Sequence, residues 1–272
     1  MNTGLVLSGG GVRGIAHIGV IKALEENHIY PSYIAGTSAG AIVGGLYAGG
    51  CSWQQILEFF NATQLFSLSN YAMNKPGFLD TEKFYNQFKK YLPVDDYKAL
   101  KIPLVVTATN LLDGTLKVFD TGSLIKTLLA SAAVPGVFAP VEIDGGYYAD
   151  GGILNNFPVD LIKHKCDQIV GVYVNPFQKI EKDSLKHVYN IMERSYHIML
   201  ANETSKKFKD CDVLIRPNRM KEFSTFSMKN NDTIFNLGYE SAIASLEKNK
   251  ENKKKTLDTI NLEIINGFSI TH

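Results

Sequence analysis

The sequence predicts an α/β protein built on a mostly parallel sheet with helices on its faces. Three observations carry that expectation. Short apolar runs of strand length alternate with helical patterns, the connections between them are rich in glycine, and no repeat or Pro/Ser-rich linker divides the chain. With 272 residues, 45% hydrophobic and 20% charged, the chain is long enough to bury one large core. The same composition excludes disorder and a collagen-like fibre. A formal net charge of +1 argues against a nucleic-acid partner held by the whole surface.

Taken in order, Leu5-Val6-Leu7 reads as a buried strand, followed by glycines and a helix over Ile15 to Glu26. Tyr33-Ile34-Ala35 is a second strand, again followed by glycine and a helix through Ile42, Val43, Leu46 and Tyr47. Leu104–Thr107 and Ile169–Val174 are further core strands, and Lys117–Phe119 and Val213–Ile215 are weaker ones. Pro140 to Ile143 and Tyr147 to Ala149 flank Asp144-Gly145, the signature of a hairpin with a tight turn. Leu185, Val188, Ile191, Met192, Met199 and Leu200 recur every three or four residues, which predicts a long amphipathic helix. His187 and His197 lie on it and read as surface or boundary residues.

The tail changes character. Lys248, Lys250, Lys253, Lys254 and Lys255 form a basic run, and Ile260 to Ile270 around Asn266-Gly267 allows a small terminal hairpin. The expected organisation is therefore one main domain over 1–247 and a basic tail over 248–272. The lysine run reads as solvated surface, or as a weak contact with anionic headgroups.

Cys51, Cys166 and Cys211 are odd in number and widely spaced, with no metal-ligand pattern, so free thiols in a reducing compartment are expected and no metal site is. The N-terminus lacks the layout of a signal peptide. Tyr33 to Gly50 is uncharged but too thin in bulky apolar residues to predict a transmembrane span. These features together predict a cytoplasmic protein without a membrane-spanning segment.

Of 23 glycines, twelve fall within the first fifty residues, and two motifs account for their chemistry. Gly36-Thr37-Ser38-Ala39-Gly40 is a Gly-x-Ser-x-Gly pattern between a strand and a helix. A sharp turn there lifts a serine hydroxyl clear of the sheet, and the flanking glycines keep Cβ atoms out of a crowded backbone. Gly9-Gly10-Gly11-Val12-Arg13-Gly14 follows the first strand, where exposed backbone N–H groups can hold the oxyanion of a tetrahedral intermediate. Gly9, Gly11 and Gly14 also fit a dinucleotide fingerprint, but the second strand ends in Ala35-Gly36 where that fold needs an acid to hold a ribose. A serine nucleophile needs a base. His164 follows Ser38 and Asp150 in α/β-hydrolase order but lies in a polar helix end. Asp150-Gly151-Gly152, ending a strand, is the better candidate for taking the proton directly.

These three motifs, in this order, resemble the patatin-like phospholipases. Ala130 to Pro140 and Lys75-Pro76-Gly77-Phe78-Leu79-Asp80 resemble the same family, and the likeness runs from about Gly4 to Leu246. The resemblance implies a three-layer α/β/α patatin-like fold and a Ser–Asp dyad of Ser38 as nucleophile and Asp150 as base. It also implies an oxyanion hole from the backbone of Gly10, Gly11 and Val12, with Arg13 ordering that loop and Gly36 and Gly40 shaping the serine turn.

The activity expected is hydrolysis of carboxylic esters in phospholipids or related lipids, with no cofactor, and with transient contact at a membrane surface or micelle. Acyl transfer to an acceptor other than water stays open within this class. A catalytically silent binding member of the same fold and a nucleotide-dependent enzyme are the readings from other classes. Leu65 to Leu79, apolar but interrupted by Asn70, Asn74 and Pro76, reads as part of an acyl groove or cap, or as ordinary core.

Overall fold

Strands β1 (Thr3–Leu7), β2 (Tyr33–Thr37) and β3 (Leu104–Asn110) lie side by side and parallel, and their apolar side chains alternate between two buried faces. The computed structural model describes residues 2–63, 81–177, 179–223 and 230–268. The groove-or-cap segment Leu65–Leu79, and with it Lys75–Asp80, lies outside the described residues.

One eight-stranded mixed sheet runs in the order β5-β6-β3-β2-β1-β7-β8, with β4 also paired to β3. β7 (Gln168–Val172) and β8 (Val213–Ile215) extend the parallel set beyond β1. β4 (Leu116–Phe119) and β6 (Gly146–Asp150) run antiparallel to β3, and β5 (Val141–Ile143) runs antiparallel to β6. The β5–β6 hairpin turns at Asp144 and Gly145, with φ of 48° and 78°. Two successive left-handed residues give the twist a tight hairpin needs, so Asp144 is a turn residue as its sequence implied.

The period-two alternation of the strands separates two layers. Leu5, Leu7, Ile34, Leu104, Val106, Val170 and Val172 face one side, where α1 (Ile15–Glu26), α2 (Ala39–Ala48), α3 (Trp53–Thr63), α4 (Thr81–Tyr91) and α5 (Leu124–Ser131) build the larger core. Val6, Ala35, Val105 and Ile169 face the other, against Phe157, Val159, Ile162 and Tyr173. The short α6 (Gly152–Asn155) and the long α7 (Val188–Ser205) lie after β6 and β7 respectively. Helices on both faces of a mostly parallel sheet make the three-layer α/β/α arrangement that the alternating pattern predicts.

Two expectations meet a different outcome. The terminal hairpin is absent through Phe268: α8 (Asn231–Phe268) is continuous across the lysine run, and Asn266-Gly267 lies within its last turn. A run rich in Lys, Glu and Leu extends a helix already anchored on α1 more readily than it nucleates a two-stranded ribbon. The second concerns α7. It is a helix as predicted, yet Val188, Ile191 and Met199 of its periodic apolar set are exposed. The periodicity identified the helix and gave no direction to its apolar face.

Candidate active site

β2 runs apolar and buried to Thr37, and the chain then turns into α2 at Ser38 with φ 54° and ψ −125°. For a residue with a side chain this is a sparsely populated conformation that persists only where the surroundings enforce it. Gly36 and Gly40 enforce it by allowing close approach. A Cβ on Gly36 would stand 2.7 Å from the Ala41 Cα, and one on Gly40 would fall onto the Leu7 carbonyl oxygen. The Ser38 carbonyl accepts the Ile42 N–H at 3.1 Å, and the side chain is 3% exposed.

Asp150 ends β6 opposite Ala108 of β3, which brings it from far along the chain to the same sheet edge as Ser38. The Ser38 hydroxyl donates to its carboxylate, and the Gly152 N–H donates to its Oδ1 at 2.7 Å. Burial pushes Asp150 up to about 6, and these two hydrogen bonds oppose that rise. The result is a carboxylate still ionised at neutral pH but more basic than a solvated one.

The glycine loop lies beside this pair. Gly11 has φ 57° and opens the short 3-10 turn Gly11–Gly14. The backbone N–H groups of Gly10, Gly11 and Val12 have no hydrogen-bond partner among the described residues, whereas Gly9 N–H donates to the Asn156 carbonyl at 3.2 Å and Arg13 N–H to the Gly10 carbonyl at 3.2 Å. Arg13 reaches away from the loop: its Nε donates to the Phe223 carbonyl at 3.0 Å and its Nη1 to Asn175 Oδ1 at 3.5 Å. Asn175 Nδ2 in turn donates to the Gly9 carbonyl. The loop is thus tied on both sides while three donors stay unused.

All predicted site residues therefore converge, and the decoys do not. His164 is exposed, and no histidine is hydrogen-bonded to Ser38 or Asp150 among the described residues. His17 is fully buried, donates Nε2–H to the Ser8 carbonyl at 2.8 Å, and is held down to about 4 by that burial. It is a neutral brace for the strand that leads into the glycine loop. Cys51, Cys166 and Cys211 are free thiols, and no group of three metal-ligating side chains occurs among the described residues. No helix among them is long and apolar enough to cross a membrane.

Sequence reasoning missed three supporting residues. Ser131, at the end of α5 and fully buried, accepts the Ser38 N–H on its Oγ at 2.8 Å, and its carbonyl accepts the Gly151 N–H at 3.3 Å. It touches both halves of the pair. Thr107 bridges to Thr37 at 2.7 Å between the hydroxyls. Asn156 is 6% exposed, its Nδ2 has no hydrogen-bond partner among the described residues, and its Oδ1 stands against the Gly9 backbone. None lies within a recognisable spacing of Ser38; Ser131 is 93 residues away, so only the folded chain shows the contact.

A family model described as patatin-like phospholipase matches residues 5–162. An uncharacterised NTE family protein of Mycobacterium bovis is 39% identical over 217 residues, covering 76% of this chain and 59% of that protein. A lysophospholipase NTE1 of Mycosarcoma maydis is 27% identical over 91% of this chain but only 15% of its own length. The chain therefore spans less than two thirds of the length of either relative. Among solved structures, VipD of Legionella pneumophila superposes with a TM-score of 0.58 at 16% identity, over 91% of this chain and 67% of that one, which is a likeness of fold. The glycine loop, the serine turn and the strand-end aspartate all lie inside the matched region, which exceeds half of the sequence, and the chain belongs to the patatin-like phospholipase family.

Proposed function

We propose that the protein is a serine acyl hydrolase acting on the carboxylic esters of phospholipids or lysophospholipids, through a dyad of Ser38 and Asp150. The observation that carries this reading is the hydrogen bond between a strained, buried serine and a carboxylate of raised basicity, beside three unused backbone donors.

Asp150 takes the Ser38 proton as Oγ attacks the ester carbonyl, and the negative charge develops on the carbonyl oxygen. The N–H groups of Gly10, Gly11 and Val12 receive that oxyanion, each contributing about 3 kcal/mol to the transition state. Collapse breaks the ester C–O bond, and protonated Asp150 returns its proton to the departing alcohol. A water molecule, deprotonated by the same carboxylate, then attacks the acyl-enzyme and releases the fatty acid while Ser38 recovers its proton. Protein groups supply both the proton transfers and the charge stabilisation.

The test is direct. Ser38→Ala and Asp150→Asn each lower ester hydrolysis by roughly 10³-fold or more with the far-UV circular dichroism unchanged. A fluorophosphonate labels the wild type at Ser38 and neither variant. Near-wild-type turnover of either variant sinks the dyad, and a wild type that is neither labelled nor active on any lipid ester points to a silent binding member of the fold.

A further inference from the structure

α7 carries its apolar side chains on the wrong face for a core helix. Val188 is 74% exposed, Ile191 50%, Ile198 42% and Met199 67%. At 100° per residue these four lie within a stripe about 100° wide. Thr204, 3% exposed, lies on the opposite side of the same helix with the half-buried His197. The outer face thus carries four exposed apolar side chains, with Ser195 and Asn202 between them, where an ordinary surface helix is polar.

Two further exposed apolar side chains lie on segments next to α7. Phe177, 54% exposed, follows β7 at the sheet edge that also carries Ser38, and the Arg194 guanidinium lies 4.3 Å over its ring. Leu154, 46% exposed, sits on α6 only two residues beyond Gly152, and α6 packs on α7. His197 is depressed to about 4 by burial and then by the charges of Arg13 and Arg194. Charge accompanies the apolar area. Between Lys179 and Lys209 there are seven basic residues against four acidic ones, with exposed Lys186 before the helix, paired with Asp183, and Lys206 just after it, paired with Glu203.

We propose that the outer face of α7, with Phe177 and Leu154, is the surface by which this protein docks on a phospholipid aggregate bearing anionic headgroups. An apolar stripe flanked by lysines fits the boundary between acyl chains and negative headgroups. Its continuity with α6 puts the docked lipid at the rim of the candidate active site, so the acyl chain of an ester would enter without crossing water. The proposal rests on the hydrolase reading for its purpose but not for the binding event, and the two fail separately.

The experiment compares the full-length wild type with Val188→Asp/Ile191→Asp and with Met199→Glu. Flotation with vesicles of phosphatidylcholine and phosphatidylglycerol is done in a Ser38→Ala background, so the vesicles stay intact. Both variants are expected to lose at least tenfold in vesicle binding and in hydrolysis of vesicle lipid. Their turnover of p-nitrophenyl butyrate, a monomeric ester, stays within twofold of wild type. Unchanged vesicle binding overturns the proposal. So does a wild-type dimer that the double variant converts to monomers with no change on vesicles, because the face then joins two copies. Loss of folding in both variants also overturns it, since the stripe would then be covered by protein. A wild type that binds vesicles through α7 yet cleaves no ester leaves the docking surface standing and defeats the hydrolase reading instead.

Discussion

Ser131 shows how little of a buried site one residue's neighbours in sequence reveal. Its hydroxyl oxygen receives the Ser38 N–H, so that N–H is already engaged and the oxyanion must rely on the glycine loop. Ser131→Ala leaves a buried donor without an acceptor, a loss of about 1–3 kcal/mol. The serine turn loosens with it. The expected outcome is a fall in kcat of roughly ten- to a hundredfold with KM little changed, together with slower fluorophosphonate labelling. A KM effect alone would assign Ser131 to substrate binding. At the same scale, Asp150 works as a base only when ionised. With its carboxyl pushed up to about 6, kcat/KM should climb as pH rises through about 6 and then level off. The linkage has a definite sign. A folded-state value raised above the unfolded one means that stability is fully present below the unfolded carboxylate value, about 4, and is lost as pH rises through about 6. Asp150→Asn should therefore melt above wild type at pH 8, with the difference vanishing near pH 4, in a variant that is inactive throughout.

Among the elements, those bounded by turn chemistry and alternation were legible in the sequence. β1, β2, β8, the start and end of α1 and the Asp144-Gly145 hairpin stand where local pattern puts them, because each is short and its glycines or alternation mark its ends. α7 was legible as a helix but not in orientation, since periodicity fixes which residues share a face and not what that face meets. The tail misled because Asn-Gly is a turn signal in isolation, whereas here it falls at the end of a helix already packed on α1. His17 links an element to pH. Held down to about 4 by burial, it favours the folded state above pH 6.5, and that contribution is lost as pH falls towards 4. Between pH 7 and pH 5 the loss is on the order of 2 kcal/mol. His17→Gln keeps a donor for the Ser8 carbonyl and removes the titration. Urea unfolding at the two pH values should show a smaller drop in stability for this variant, and an equal drop would mean that His17 is not the group responsible.

For the whole molecule, the structure brings the three glycine-bearing motifs together and departs from the sequence expectation in the tail and in the face that α7 presents. The candidate site was legible because its three motifs each need glycine at fixed offsets, a requirement that leaves a mark on a single sequence. The supporting contacts to Ser131, Asn156 and Asn175 leave none, because a hydrogen bond between distant segments imposes no local pattern. α8 divides along its length in the same way. Up to Leu246 it buries Ile234, Leu237 and Ala242 and packs extensively on α1, and Tyr239 reaches Glu26. Lys250 makes a further contact, its Nζ donating to Asn27 Oδ1 at 2.9 Å. Beyond it the sequence passes from the lysines at 253, 254 and 255 to a stretch that holds Leu257, Ile260, Leu262, Ile264 and Ile265. A chain ending at Lys250 retains Ile234, Leu237, Ala242 and Leu246, the buried residues by which α8 packs, and should keep its melting temperature within about 2 °C, and its turnover of a monomeric ester unchanged. It should also keep its vesicle binding, because the docking face belongs to α7. If the shortened chain binds vesicles tenfold more weakly while the α7 variants bind normally, the lysine run and not α7 is the part of the molecule that meets the lipid.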